Sequence, residues 1–189
     1  MDRSTSSPLV LFSHGQMGTP DGTKIRRLAT LASQLGCQIE SLDYRHQPDP
    51  DQRADTLKRH INQLPAGLPL ILVGSSMGAY ISLVASQQRQ PIGLFLLAPA
   101  LCLPGYRHQD PTPHTNQVTL IHGWQDEVVP VAHVINFSQR YRLNLHLVDA
   151  DHRLLSAMAF IEKRFTQFLE ELLSERENPS RLITNPSLL

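Results

Sequence analysis

Three residue types that together perform nucleophilic catalysis occur far apart in this sequence. They are Ser76, Asp126 and His152. A serine hydroxyl becomes an effective nucleophile when a base takes its proton, and a histidine acting as that base needs an acid to orient its ring. The chemistry predicted for such a set is acyl transfer, in which an ester or thioester is attacked, an acyl-enzyme forms, and water hydrolyses it.

The segment around Ser76 has glycines two positions before and two positions after the serine. It reads Gly-Ser-Ser-Met-Gly over 74–78 and lies between an apolar run at 69–73 and a helical pattern that begins near Met77. A serine at a strand-to-helix junction lies on a sharp turn, where glycines avoid steric clashes and the helix N-terminus stabilises negative charge. The alternative is a glycine-rich turn with a capping serine. We predict that Ser76 is the nucleophile.

Both candidate partners of Ser76 follow predicted strands. The run at 117–122 leads to Asp126, and the run at 143–148 leads to His152. Because the carboxyl ends of parallel strands share one sheet edge, we expect both side chains on the edge that carries the serine. Glu127 is an adjacent carboxylate and a possible substitute for Asp126. A capping aspartate and an exposed loop histidine are the non-catalytic alternatives.

The loop after the first predicted strand, residues 13–18, is the candidate for the rest of the site. We predict that the backbone N–H groups of Gln16 and Met77 form an oxyanion hole. The alternative is a turn with no catalytic part. His14 and His122 each precede a glycine at a strand end and are predicted to be buried rings that hydrogen-bond the backbone. The other histidines share no spacing typical of metal ligands, so neither a metal site nor a cofactor is predicted.

Short apolar runs alternate with longer amphipathic segments, and these elements must position the site. The runs are 9–12, 38–42, 70–73, 94–97, 118–121 and 143–148. This alternation predicts an α/β fold with about six mostly parallel strands and helices on both faces. The runs at 38–42 and 143–148 mix polar with apolar residues, which is typical of strands near the sheet edges. The segment 101–116 has no helical period and is predicted to be a surface loop near the strand ends.

Composition limits the class of protein. The chain has 189 residues, 41% hydrophobic and 18% charged, which predicts a single domain over 1–189 with a core at about 8–174. Its 17 basic and 17 acidic residues leave no basic excess, so neither nucleic acid nor an anionic membrane is a predicted partner. No signal peptide or membrane span is found, and two cysteines are too few for a disulfide framework, so a cytoplasmic location is expected. The polar tail 177–189 is predicted to be mobile or loosely docked.

These motifs together resemble the α/β-hydrolase superfamily over residues 9–173. The matching segments are 14–16, 74–78, 122–130 and 151–154. The resemblance implies a nucleophile at Ser76, a general base and then acid at His152, an orienting carboxylate at Asp126, and oxyanion donors at Gln16 and Met77. No antiparallel hairpin precedes the first strand, and only 101–116 stands where a cap domain is usually inserted. The chain is therefore similar to the compact, lidless bacterial branch of esterases and thioesterase-like enzymes, in which a shallow, open cleft is expected.

The predicted substrate is a small-molecule carboxylic ester, with a thioester as the alternative. Without a lid, little encloses a long chain, so short or medium acyl groups are expected. Trp124, Leu101 and Tyr106 are the predicted substrate contacts, and Leu103 extends the same apolar lining. A non-catalytic binding scaffold, and lyase or perhydrolase chemistry with the same triad, are the other hypotheses. The sequence carries no prediction of the oligomeric state.

Overall fold

Six strands form one parallel sheet in the computed structural model, which describes residues 6–177. They are β1 (Leu9–Ser13), β2 (Gln38–Leu42), β3 (Leu70–Ser75), β4 (Gly93–Leu97), β5 (Val118–Gly123) and β6 (Asn144–Val148). The order across the sheet is β2-β1-β3-β4-β5-β6, and every neighbouring pair is parallel. Each predicted apolar run forms a strand, and the two mixed runs form the two edges. The predicted fold class is confirmed.

Helices cover both faces of this sheet. They are α1 (Thr23–Gln34), α2 (Pro50–Gln63), α3 (Met77–Ser86), α4 (Val131–Tyr141) and α5 (Met158–Glu177). Alternate strand residues face opposite ways, so each face has its own core. Leu9 and Leu11 of β1 pack in the core that includes α2, α3 and α4, whereas Val10 and Phe12 pack in the core that includes α1 and α5. Burial on both faces explains why the central strands are almost continuously apolar.

Local signals set the helix ends. The Asp49 carboxylate accepts a hydrogen bond from the Gln52 N–H at 2.8 Å, and Pro50 is the first residue of α2. Gly36, with φ of 80°, follows the end of α1. Leu155, in a 3₁₀ turn that precedes α5, is 40% exposed.

The segment 101–116 contains no helix or strand, as predicted, but it is tied down at several points. Asp51 on α2 accepts hydrogen bonds from Tyr80 Oη at 2.7 Å and from the Arg107 N–H at 3.1 Å. The Tyr80 hydroxyl oxygen in turn accepts from the His108 N–H at 3.2 Å. The prediction of a surface loop is therefore only partly right. Its first residue, Leu101, is completely buried in the core.

Two expectations concern the ends of the chain and membranes. Glu177 is the last residue of α5, and the rest of the predicted mobile tail, 178–189, lies outside the described residues. Within the part of the chain that the structure describes, no helix is both long and apolar enough to cross a membrane.

Gly78 on α3 allows that helix to pack directly on the end of β1. A Cβ atom at this position would lie 1.9 Å from the Ser13 carbonyl oxygen and 2.8 Å from that of His14. Both neighbours are backbone atoms, which cannot rotate out of the way, so a side chain here would push α3 away from the sheet. The glycine thus sets the distance between the helix and the strand.

We expect Gly78→Ala to lower the free energy of unfolding by about 3 kcal/mol, the upper part of the usual range for overpacking. Gly93→Ala is the matched control, because its new Cβ would meet only side-chain ends, Leu172 Cδ1 and Phe168 Cζ, both at 2.6 Å. Urea denaturation of both variants measures the difference. Equal losses would contradict the role of the Gly78 backbone contact.

Candidate active site

Ser76 occupies the turn between β3 and α3 in an unusual backbone conformation. Its φ is 57° and its ψ is −120°. Such a conformation is costly for a residue with a side chain and persists only where the surroundings enforce it. Here the Ser76 N–H donates to the Leu97 carbonyl oxygen at 2.8 Å, and the Ser76 carbonyl oxygen accepts from the Ala100 N–H at 3.2 Å. The last residue of β4 and the segment after it therefore bind the N–H and the carbonyl group of Ser76.

The structure brings the three predicted side chains together. Ser76 Oγ lies 2.9 Å from His152 Nε2, and His152 Nδ1 lies 2.7 Å from Asp126 Oδ2. Because a carboxylate only accepts, Nδ1 carries the ring proton and Nε2 is free to accept from the serine hydroxyl. The residues come from the carboxyl ends of β3, β5 and β6, as the sequence predicted.

Both oxygens of the Asp126 carboxylate accept hydrogen bonds. Its Oδ1 accepts from the N–H groups of Val128 at 2.9 Å and Val129 at 2.8 Å, so the turn after β5 fixes the carboxyl plane. Asp126 is 9% exposed, whereas the alternative acid, Glu127, is exposed. The geometry therefore favours Asp126 over Glu127 as the partner of His152.

A second histidine stands beside Asp126. His122 Nε2 donates to the Val129 carbonyl oxygen at 3.0 Å and lies 3.4 Å from Asp126 Oδ2, and its ring is completely buried. Burial lowers the pKa of His122 below the ordinary 6.5, which keeps the ring neutral. The predicted backbone hydrogen bond is confirmed. The contact with Asp126 was missed because nothing in the sequence distinguishes it from any other buried histidine.

The loop after β1 lies against Ser76. Gly18 N–H donates to the Gly15 carbonyl oxygen at 3.1 Å, so Gln16 forms the corner of a tight turn. A Cβ atom at Gly15 would lie 3.2 Å from the Ser75 carbonyl oxygen and 3.3 Å from Ser76 Cβ, so a side chain here would require the Ser76 turn to shift by a few tenths of an ångström.

The His14 ring connects this loop to the backbone at Tyr44. Its Nε2 accepts from the Tyr44 N–H at 3.0 Å and its Nδ1 donates to the Gly15 carbonyl oxygen at 2.7 Å, which confirms the predicted buried ring. These two bonds require the neutral Nδ1–H form. Burial also lowers the pKa of His14 below 6.5.

The two predicted oxyanion donors have no hydrogen-bond acceptor among residues 6–177. Met77 is the first residue of α3, where backbone N–H groups have no partner within the helix. Gln16 is exposed at the turn. Among residues 6–177, neither N–H donates a hydrogen bond to another protein group. Both remain available for an anionic oxygen.

Lys24 on α1 supports the loop that carries His152. Its ammonium donates to the Arg153 carbonyl oxygen at 2.8 Å. Burial lowers the Lys24 pKa to about 8, with the charge of Arg153 as a further cause. Lys24 was not predicted as part of the site, because a lysine near the start of an amphipathic helix is ordinarily a solvated charge.

The predicted substrate contacts differ in exposure. Trp124 is 56% exposed, whereas Tyr106 is half-buried and lies edge-on against Tyr80 with ring centroids 4.6 Å apart. Leu101 is completely buried, so direct contact between its side chain and a substrate is not supported. Sequence pattern identified Leu101 as apolar but not the face on which it lies.

Large apolar side chains are exposed close in sequence to the predicted site residues. Two cavities, of about 690 and about 160 Å³, are lined by other residues, at 6–68 and 83–114 respectively. By contrast, four large apolar side chains are exposed within three residues of a predicted site residue. They are Met17, Trp124, Val128 and Leu155. Exposed apolar side chains on segments that carry predicted site residues are candidates for ligand contact.

Similarity to solved structures extends over most of the chain, although no family model and no curated protein sequence matches it. A protein of the alpha/beta hydrolase superfamily from Xanthomonas campestris pv. campestris is 29% identical, with a TM-score of 0.76 over 87% of this chain and 99% of that one. A second Xanthomonas campestris protein, an α/β serine hydrolase without a lid, is 20% identical, with a TM-score of 0.70 over 87% and 82%. An esterase from Pyrococcus furiosus is 18% identical, with a TM-score of 0.74 over 88% and 84%.

The buried histidines make stability dependent on pH. The folded-state pKa of His122 lies below 6.5, so under acid conditions the unfolded chain binds a proton that the folded chain does not. The free energy of unfolding is therefore expected to fall as the pH is lowered from 7 through 6.5 and towards the depressed pKa. Urea denaturation at several pH values should show a shallower fall for His122→Gln. A slope unchanged from that of wild type would contradict this, and His46→Gln, at an exposed histidine, is the control.

Proposed function

Because the chain has the fold of the α/β-hydrolase superfamily, without a cap domain in residues 6–177, we propose that it is a serine hydrolase that cleaves small carboxylic esters. The observation that carries this proposal is the continuous hydrogen-bonded chain from Ser76 Oγ through the His152 ring to Asp126 Oδ2. These side chains are of the types, and at the distances, that activate a hydroxyl.

In the first half of the reaction, His152 Nε2 takes the hydroxyl proton while Ser76 Oγ bonds to the ester carbonyl carbon. The carbonyl π electrons move to its oxygen, and the N–H groups of Gln16 and Met77 stabilise that anion. The intermediate then collapses, the bond to the alcohol oxygen breaks, and the imidazolium protonates the leaving alkoxide. Asp126 stays ionised throughout and stabilises the positive ring.

In the second half, water replaces the alcohol. His152 removes a proton from water, the resulting hydroxide attacks the acyl carbon, and the same N–H groups bind the second oxyanion. Collapse breaks the bond between the acyl carbon and Ser76 Oγ, and the imidazolium returns its proton to the serine. The products are one carboxylic acid and one alcohol, and the protein returns to its starting state.

The structural neighbours support this class of reaction. The lidless protein from Xanthomonas campestris is a serine hydrolase, and the Pyrococcus furiosus protein is an esterase. Their identities of 20% and 18% are low, so the proposed reaction of this chain rests on the geometry of its own side chains. A purely non-catalytic scaffold has no need of the strained serine, the ordered carboxylate and two unpaired N–H groups together.

A thioesterase with the same triad is the second candidate. The exposed apolar side chains at Met17 and Trp124 favour it, since they offer an acyl chain a surface without enclosing it. A cytoplasmic location, predicted from composition, suits either activity and stays a prediction.

We expect a fluorophosphonate probe to label the wild-type protein covalently and to leave Ser76→Ala unlabelled, because phosphonylation needs an activated serine oxygen. Ser75→Ala, which removes the neighbouring hydroxyl, is the matched control and should label like wild type. Intact-mass spectrometry measures the adduct. Absence of label on the folded wild-type protein would rule out the proposal.

Removing the acid should slow catalysis while leaving the fold intact. We expect Asp126→Asn to lower kcat for p-nitrophenyl acetate by about 10⁴-fold, since the amide holds the wrong ring tautomer. Glu127→Gln, at the exposed neighbouring acid, should lie within about twofold of wild type. Steady-state kinetics with circular dichroism as a fold check measures both. Equal effects would place the orienting acid elsewhere.

The open site predicts a preference among acyl chains. Across p-nitrophenyl esters from acetyl to palmitoyl, kcat/KM is expected to be highest for short or medium chains, because no wall encloses a longer one. The matching series of acyl thioesters separates esterase from thioesterase activity. A steady rise of kcat/KM up to palmitoyl would contradict the expected length preference.

A further inference from the structure

A guanidinium group is buried directly behind the loop that faces Ser76. Arg53, on α2, is 1% exposed and is the largest completely buried side chain among residues 6–177. No carboxylate of the described residues lies within salt-bridge distance of it. Burying an unpaired cation is costly, and an apolar side chain of similar size would ordinarily serve stability better. The position therefore calls for a reason beyond packing.

All hydrogen bonds of this guanidinium go to backbone carbonyl oxygens. Nη1 donates to Gly15 O at 3.3 Å, Nη2 donates to Gln16 O at 3.4 Å, and Nε donates to Gln47 O. The Tyr44 ring lies alongside, with its centroid 5.6 Å from Arg53 Cζ, which provides a cation–π contact. Arg53 thus connects α2 to two successive peptide groups of the loop at 15–18.

One of these peptide groups contains the N–H assigned above as an oxyanion donor. The Gly15 carbonyl and the Gln16 N–H belong to the same planar unit, and every peptide among the described residues is trans. In a trans unit the C=O and N–H bonds point in opposite directions. When the Arg53 guanidinium binds the Gly15 carbonyl oxygen, the Gln16 N–H of the same unit therefore points away from the guanidinium.

The same carbonyl oxygen accepts three hydrogen bonds. They come from His14 Nδ1 at 2.7 Å, from the Gly18 N–H at 3.1 Å and from Arg53 Nη1 at 3.3 Å, and only the last brings a full positive charge. A fixed positive charge on the oxygen side polarises the peptide and makes its N–H a stronger donor, as in chains of cooperative hydrogen bonds. A preorganised donor contributes most when it needs no reorientation as charge develops.

We propose that Arg53 is a positioning residue of the active site, whose buried guanidinium fixes and polarises the Gly15–Gln16 peptide so that the Gln16 N–H stabilises the oxyanion. This inference rests on the proposed function and extends it to a residue that does not touch the substrate. Lysine cannot replace it fully, because a single ammonium lacks the planar fork that reaches several carbonyl oxygens at once.

The test compares Arg53→Met and Arg53→Lys with wild type. We expect Arg53→Met to lower kcat for a p-nitrophenyl ester by about 10- to 100-fold, less than the loss of a whole oxyanion donor, with KM within about threefold. Arg53→Lys should be intermediate. Arg89→Met is the matched control, because Arg89 also donates to two loop carbonyls, Pro65 O at 2.8 Å and Leu68 O at 2.7 Å, but these lie before β3, at the end of that strand opposite to Ser76.

A thionoester substrate separates positioning from general damage. Its C=S sulfur is a weak hydrogen-bond acceptor and gains little from the oxyanion N–H groups, so loss of their alignment should slow the oxygen ester much more than the thionoester. We therefore expect kcat for the oxygen ester divided by kcat for the thionoester to fall in Arg53→Met and to stay unchanged in Arg89→Met. Disturbance of Ser76 or His152 would lower both rates together.

Several outcomes would overturn this inference while the proposed function stands. One is an active wild type whose Arg53→Met variant keeps kcat within about twofold. Another is an equal loss for ester and thionoester. If thermal unfolding shows that Arg53→Met is not folded, the same ratio measured in Arg53→Lys decides. A wild type that neither labels nor turns over would instead show that the proposed function itself is wrong, and this inference with it.

Discussion

The hydrogen bond between Ser76 Oγ and His152 Nε2, at 2.9 Å, depends on segments from three different strands of the sheet. It needs the serine on a strained turn after β3 and the histidine on the loop after β6, which is three strands away in the sheet. It also needs Asp126, after β5, to fix the ring. A parallel sheet meets these needs at once, because all its carboxyl ends lie along one edge.

Much of this arrangement was predictable because it follows from local patterns. Continuous apolar runs identified the central strands, and the mixed runs at 38–42 and 143–148 identified the edges. Asp126 and His152 each follow a predicted strand by only a few residues. This position predicted that both lie on the sheet edge that carries Ser76. Such predictions work because the β-strand period and the parallel direction leave few alternatives.

Other features escaped prediction because they depend on packing between distant segments. Nothing in the sequence of α2 distinguishes Arg53 from the solvated arginines of other helices, although the fold buries it against the loop at 15–18. Lys24 is similar, since its hydrogen-bond partner, the Arg153 carbonyl, lies 129 residues later in the sequence. Leu101 was identified as apolar, but its burial depends on how its loop is held. The backbone N–H groups at 107 and 108 donate to Asp51 and to the Tyr80 hydroxyl, which themselves form a hydrogen bond.

The order of the strands also determines when the site can exist during synthesis. Ser76 and Asp126 leave the ribosome well before His152, and the histidine reaches its partners only after β6 has docked against β5 at the sheet's outer edge. A nascent chain that has folded as far as β5 carries Ser76 and Asp126 without the histidine of the proposed triad. The proposed reactive centre is therefore completed only when β6 joins the sheet, and a chain that ends before β6 lacks the proposed base.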